Sequence, residues 1–160
     1  MATLAAWRFA TAGGAARASV ALGGLREEWL VPTDSALVEW RAGQRRPHTR
    51  RLTPDDAGAL GDGFWSLLFG LTFFLPLLGA AVGASTGSAA GSLADVGIDD
   101  HFLNRVRDHV TPGSSALFVL GPDAAVDQVR GALGGTPRSV LITTHLDAAH
   151  VDALRAVFGT

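Results

Sequence analysis

One uncharged run limits what this chain can become. From Gly63 to Ala94 (GFWSLLFGLTFFLPLLGAAVGASTGSAAGSLA) no side chain carries a charge over 32 residues, and Asp62 and Asp95 bound the run. Its first half is bulky, with Phe64, Trp65, Leu67, Leu68, Phe69, Leu71, Phe73, Phe74, Leu75, Leu77 and Leu78. Its second half is small, with Gly79, Gly83, Gly87 and Gly91 at strict four-residue spacing. A surface of this kind must be covered by lipid or by apolar protein, because left bare it drives aggregation.

A bilayer core of about 30 Å takes about 20 helical residues. Phe64–Ala84 offers 21 uncharged residues, enough for one span kinked at Pro76. The full run is too short for two complete spans but accommodates two shorter helices, turning near Pro76 or near Ser85-Thr86. The glycines form three consecutive GxxxG steps, with Ala80, Ala84 and Ser88 beside them. On a helix such a stripe carries no side chains, so a second backbone approaches closely. The alternative is a Gly/Ser linker, which would have no need of Ala80, Ala81, Val82, Ala84, Ala89, Ala90 and Leu93. Gly79, Gly83, Gly87 and Gly91 are therefore the candidate helix-packing, oligomer-forming residues. Phe64, Trp65, Leu68, Phe69, Phe73 and Phe74 are the candidate lipid-facing or apolar-interface residues.

Arginines gather just before the run: Arg41, Arg45, Arg46, Arg50 and Arg51, with His48 among them. This stretch contains two prolines and reads as an irregular linker or loose ribbon. Arg45, Arg46, Arg50 and Arg51 are candidates for contact with anionic lipid on a cytoplasmic face. The alternative is a solvated loop balanced by Asp55, Asp56 and Asp62.

The rest of the chain alternates. Thr3–Phe9 reads as a strand, Ala15–Leu25 as a helix with Ala18, Leu22 and Leu25 on one face, and Ser35–Trp40 as a second strand. After the uncharged run, Ile98, Phe102, Val106 and Val110 fall at four-residue steps, with Asp99 and Asp100 in the first turn, as a helix dipole favours. Thr111-Pro112-Gly113 ends that helix. Ser114–Gly121 reads as a buried strand, Asp123–Leu133 as a helix capped by Asp123, Arg138–Thr144 as a strand, and Asp147 as the start of a last amphipathic helix. Strand–helix–strand thus occurs on each side of the run. The expected fold is α+β, a ferredoxin-like split βαβ sheet of four strands with two helices on one face and a glycine-rich apolar helical hairpin inserted between its halves. The corresponding divisions are residues 1–52, 53–97 and 98–160. If the halves share one sheet, they lie on one side of any membrane. A hairpin satisfies this, whereas a single span requires each half to pair with another copy.

Several chemistries are not supported. Net charge is −2, with 13 arginines, no lysine and 15 acids, so nucleic acid is not an expected partner. There is no cysteine, which removes disulfides and thiolate sites. Arg8 interrupts the short apolar run at the N-terminus, so no signal peptide is expected. His101 and His109 are eight apart and His145 and His150 five, neither the i,i+4 spacing of a helical zinc pair. Asp95, Asp99 and Asp100 lack the calcium-loop pattern. Ser114-Ser115 lacks a nucleophile-elbow context, and no phosphate-loop glycine pattern occurs. No catalytic, cofactor or metal residue is expected.

Three blocks, GDGFWSLLFGLTFFLPLLG (Gly61–Gly79) with its glycine ladder, SLADVGID (Ser92–Asp99) and TPGSSALF (Thr111–Phe118), resemble a bacterial family of small predicted membrane proteins labelled domain of unknown function 1269. Weaker similarity extends over the N-terminal strand–helix–strand, and the last 40 residues match less closely. The resemblance implies a glycine-rich membrane-associated segment and carries no activity or site residues. The expected function is a non-enzymatic, membrane-associated homo-oligomer, without cofactor. Its glycine-zipper helices build a ring, channel or shell, and its sheet domain lies on the cytoplasmic side of the inner membrane. The alternatives are a soluble self-assembling structural protein with the hairpin buried between subunits, or a sensor or regulatory module for an unspecified small ligand.

Overall fold

A computed structural model describes residues 2–26, 34–51, 62–74, 97–98, 100–133 and 140–158. In chain order these form β1 (Ala2–Phe9), α1 (Gly14–Arg26), β2 (Asp34–Trp40), β3 (His48–Arg51), α2 (Asp62–Phe69) and a π-helical segment (Gly70–Phe74). Then come α3 (Asp100–His109), β4 (Ser114–Pro122), α4 (Asp123–Leu133), β5 (Val140–Leu146) and α5 (Ala148–Phe158). The strands make one antiparallel sheet in the order β3-β2-β4-β1-β5. Central β4 pairs with both β1 and β2, and SSALFVLG is buried along its whole length. That continuous burial is what a strand covered on both faces requires.

Alternation along the strands builds two apolar layers. Ala5, Trp7, Phe9, Leu37, Leu117 and Val119 point to one face, where Ala15 and Ala18 of α1 and Val126 and Val129 of α4 cover them. Leu4, Ala6, Ala36, Val38, Phe118 and Ile142 point to the other. There they meet Phe64, Trp65, Leu68, Phe69, Leu71 and Phe73, together with Ile98, Phe102, Val106 and Val110. Val151 and Ala153 of α5 pack against this second cluster. The four-residue apolar stripe of α3 is therefore its core face.

The structure differs from the sequence expectation in two places. The sheet has five strands rather than four, with helices on both faces. The added strand, β3 (HTRR), arises within the stretch read as an irregular linker. It pairs through its backbone and carries no apolar side chain, so no period-2 pattern announces it. Charges on an edge strand also block pairing with another chain. The second difference concerns the bulky arm. Phe64, Trp65, Leu68, Phe69 and Phe73, expected at lipid or an apolar interface, are each no more than 3% exposed. The apolar surface they meet is the chain's own sheet. Phe69 sits 5.1 Å edge-on from Phe118 of β4 and 5.7 Å from the stacked Trp65 ring. A hydrophobic run reports the need for cover but not whether lipid or protein provides it.

The arm is locked to α3 by polar contacts. In the π-helical segment Thr72 Oγ1 donates to Leu68 O (2.7 Å), and the Thr72 carbonyl accepts from Arg107 Nε on α3 (3.0 Å). The far end of α3 is held by Arg8, whose Nε donates to His109 O (2.9 Å) and so serves a carbonyl that the helix leaves open.

A basic cleft at the sheet edge

The candidate functional site lies where β2 turns into β3. The chain reverses over residues 41–47, helped by Gly43 at φ +85°. Gln44 N–H donates to Arg41 O (3.2 Å), closing the turn. Trp40 Nε1–H donates to Gln44 O (2.9 Å), and the Trp40 ring packs edge-on against Phe73 of the buried arm. Trp40 O accepts from Gly113 N–H (2.6 Å), and Pro47 is buried at the entry to β3. The hairpin is thus pinned to the core at its base.

On this base sits an open cleft of about 300 Å³ lined by Glu39, Arg41, Gln44, Arg46 and His48. Glu39 and His48 are cross-strand partners, and Arg50, opposite Leu37, shares their face. Arg41, Arg45, Arg46, His48 and Arg50 are all exposed. Four guanidinium groups near one carboxylate give this corner a positive potential. Of the four arginines expected at an anionic surface, Arg46 lines the cleft, Arg45 and Arg50 lie exposed beside it, and the Arg51 side chain is outside the described residues. Sequence reasoning missed Glu39 and Gln44. Glu39 was legible only as the one charged residue within the apolar strand SALVEW.

The other polar candidates have structural roles. Ser115 is fully buried; its hydroxyl donates to Thr11 O (2.6 Å) and accepts from Ala15 N–H (2.9 Å), fixing the start of α1. Ser114 Oγ donates to Thr111 O (2.7 Å) and accepts from Thr111 N–H (2.9 Å), closing the turn into β4. Buried Thr3 donates to Asp123 Oδ1 (2.7 Å), which commits its one proton. His145 Nδ1, 3.0 Å from the same hydroxyl, is therefore the donor to it. His101 is exposed on α3, and His109 Nδ1 donates to Arg105 O (2.8 Å). Asp147 Oδ1 accepts from His150 N–H (2.8 Å) at the start of α5 and lies 3.2 Å from His150 Nδ1. Among the described residues no three His, Asp or Glu side chains are grouped to hold a metal ion.

Gly79, Gly83, Gly87 and Gly91 lie outside the described residues, as does the Phe74 side chain. Among the described residues no helix is long and apolar enough to cross a membrane.

The family model described as Protein of unknown function (DUF1269) matches residues 59–159. The match takes in the uncharged run and the whole C-terminal part, including the last 40 residues where the resemblance looked weaker, and leaves β1, α1, β2 and β3 outside it. No curated protein and no solved structure matches the chain.

Proposed function

The chain belongs to the DUF1269 family, and on that footing we propose a non-enzymatic, membrane-associated, self-assembling protein whose contacts run through the glycine ladder. One observation carries this reading. Phe73, just before the glycine-rich half, and Ile98, just after it, lie in the same core cluster. Both flanks of Leu75–Ala94, a segment with no charge and three serial GxxxG steps, are thus anchored in one core. A single traverse of a bilayer would separate these ends, so their proximity supports a hairpin over a span. Burial of Phe64, Trp65, Leu68, Phe69, Leu71 and Phe73 in the domain leaves Leu75–Ala94 as the part of the uncharged run proposed to meet lipid or another subunit. There the stripe of Gly79, Gly83, Gly87 and Gly91 suits close helix contact.

The sheet fits this arrangement. Without edge strand β3, the order β2-β4-β1-β5 with α1 and α4 on one face supports the split βαβ reading, in which everything from β3 through α3 is insertion. The arginine-rich hairpin at one edge supports a domain whose basic corner meets an anionic cytoplasmic surface. The test is membrane fractionation of the full-length protein, followed by mass measurement in detergent. We expect a membrane-bound oligomer, and a monomer that stays in the supernatant would overturn the proposal.

A further inference from the structure

The cleft at the β2–β3 hairpin has a composition that selects among anions. The residues that line it carry two guanidinium groups (Arg41, Arg46), an imidazole (His48), an amide (Gln44) and a carboxylate (Glu39). Guanidinium forks match the oxygens of a phosphate with paired, charge-assisted hydrogen bonds. Glu39 changes which phosphate fits. A bare phosphate meets repulsion from that carboxylate, whereas a phosphate ester that also carries hydroxyl groups donates to it. The volume of about 300 Å³ is at the bottom of the range for small-molecule sites. That volume suits a phosphate with a few carbons and hydroxyls. The hairpin is already fixed by Trp40, Gly43 and Pro47, so little ordering is required on binding.

We propose that this cleft binds the phosphate ester of a short polyol, with Arg41 and Arg46 on the phosphate and Glu39 accepting from a hydroxyl. The same chemistry occurs in a free polyol phosphate and in the headgroup of a phosphatidylglycerol lipid. The proposal rests on the hairpin being the anion-facing corner of the domain, and it deepens that assignment by naming the anion.

The test is calorimetric titration of the full-length protein in non-ionic detergent. The probes are glycerol 1-phosphate, inorganic phosphate, dihexanoyl phosphatidylglycerol and dihexanoyl phosphatidylserine. Glycerol 1-phosphate should bind more tightly than inorganic phosphate, and Glu39→Gln should narrow that difference. Arg41→Ala with Arg46→Ala should weaken binding about tenfold or more, the effect of losing a charge-assisted hydrogen bond. Arg41→Lys with Arg46→Lys keeps the charge but loses the forks, and should fall in between. Arg130→Ala, an exposed arginine on α4 outside the cleft, should change nothing. Tighter binding of the phosphatidylglycerol than of the phosphatidylserine, lost on removing Arg41 and Arg46, identifies the headgroup as ligand. Binding of glycerol 1-phosphate without that lipid preference identifies the free ester. Equal affinity for the two phosphates, no loss in the double alanine variant, or equal loss in Arg130→Ala would overturn the proposal. None of these readouts depends on oligomer mass or membrane partition, so failure here leaves the assembly proposal intact, and the reverse also holds.

Discussion

At the scale of single residues, Gly97 shows how a position becomes restricted to glycine for two reasons at once. Its φ of +90° is a conformation that other residues adopt only at a cost. A Cβ placed there would also lie 2.7 Å from Leu146 Cδ2 and 3.1 Å from His150 Nδ1. The Gly97 carbonyl accepts from Thr144 Oγ1 (3.1 Å), so this short segment is tied to β5 and cannot easily swing away. Gly43 has a similar φ of +85° but open space around it. The pair separates backbone strain from steric overlap. Gly43→Ala should cost about 1–2 kcal/mol, the backbone penalty alone. Gly97→Ala should cost about 2–4 kcal/mol, because overpacking adds to it. Urea denaturation of the two variants measures the difference, and equal costs would show that the Leu146 contact relaxes freely. The SLADVGID block contains Gly97, but the sequence shows only a glycine before a helix. The approach of β5 and α5 is made by the fold.

At the scale of elements, α2 and its π-helical continuation decide how the apolar run is interpreted. Phe69 is 3% exposed and packs against Trp65, Phe73 and Phe118. Replacing it with alanine removes aromatic contacts from a core cluster and should destabilise the sheet domain by about 3–5 kcal/mol. Denaturation followed by near-ultraviolet circular dichroism measures this, and an unchanged midpoint would place the arm away from the sheet. The elements that carried their own periodicity were legible. β1, α1, β2, α3, β4, α4, β5 and α5 were each expected from an apolar run, alternation or the 3.6-residue period, with Asp123–Leu133 matching at both ends and β5 offset by two residues. Two were not settled by their own pattern, for opposite reasons. β3 consists of His48, Thr49, Arg50 and Arg51, and its strand character comes entirely from pairing with β2. α2 is apolar nearly all round, a pattern shared by buried helices and lipid-facing ones. The cleft was half legible: the arginines were visible as a cluster, but the turn that gathers Arg41, Arg46 and His48 around Glu39 depends on Trp40 reaching Gln44 and on Phe73 behind it.

At the scale of the whole molecule, the sheet and the glycine ladder make separable demands. The sheet brings the N-terminal β1 and β2 into register with β4 and β5, so residues far apart in sequence close one core. Its two apolar layers are filled by α1 and α4 on one side and by α2 and α3 on the other. If the ladder serves assembly as proposed, substitution within it acts on association and leaves the domain folded. Leucine is the informative replacement, since it adds a branched side chain where close backbone approach is proposed and keeps the segment apolar. Gly83→Leu combined with Gly87→Leu, at the centre of the stripe, should abolish the oligomer seen by light scattering in detergent. The near-ultraviolet spectrum, which reports the packing of Trp7, Trp40 and Trp65 in the core, should be unchanged. An unchanged mass would exclude packing through this stripe. Loss of the spectrum together with the mass would show that the segment belongs to the domain core instead.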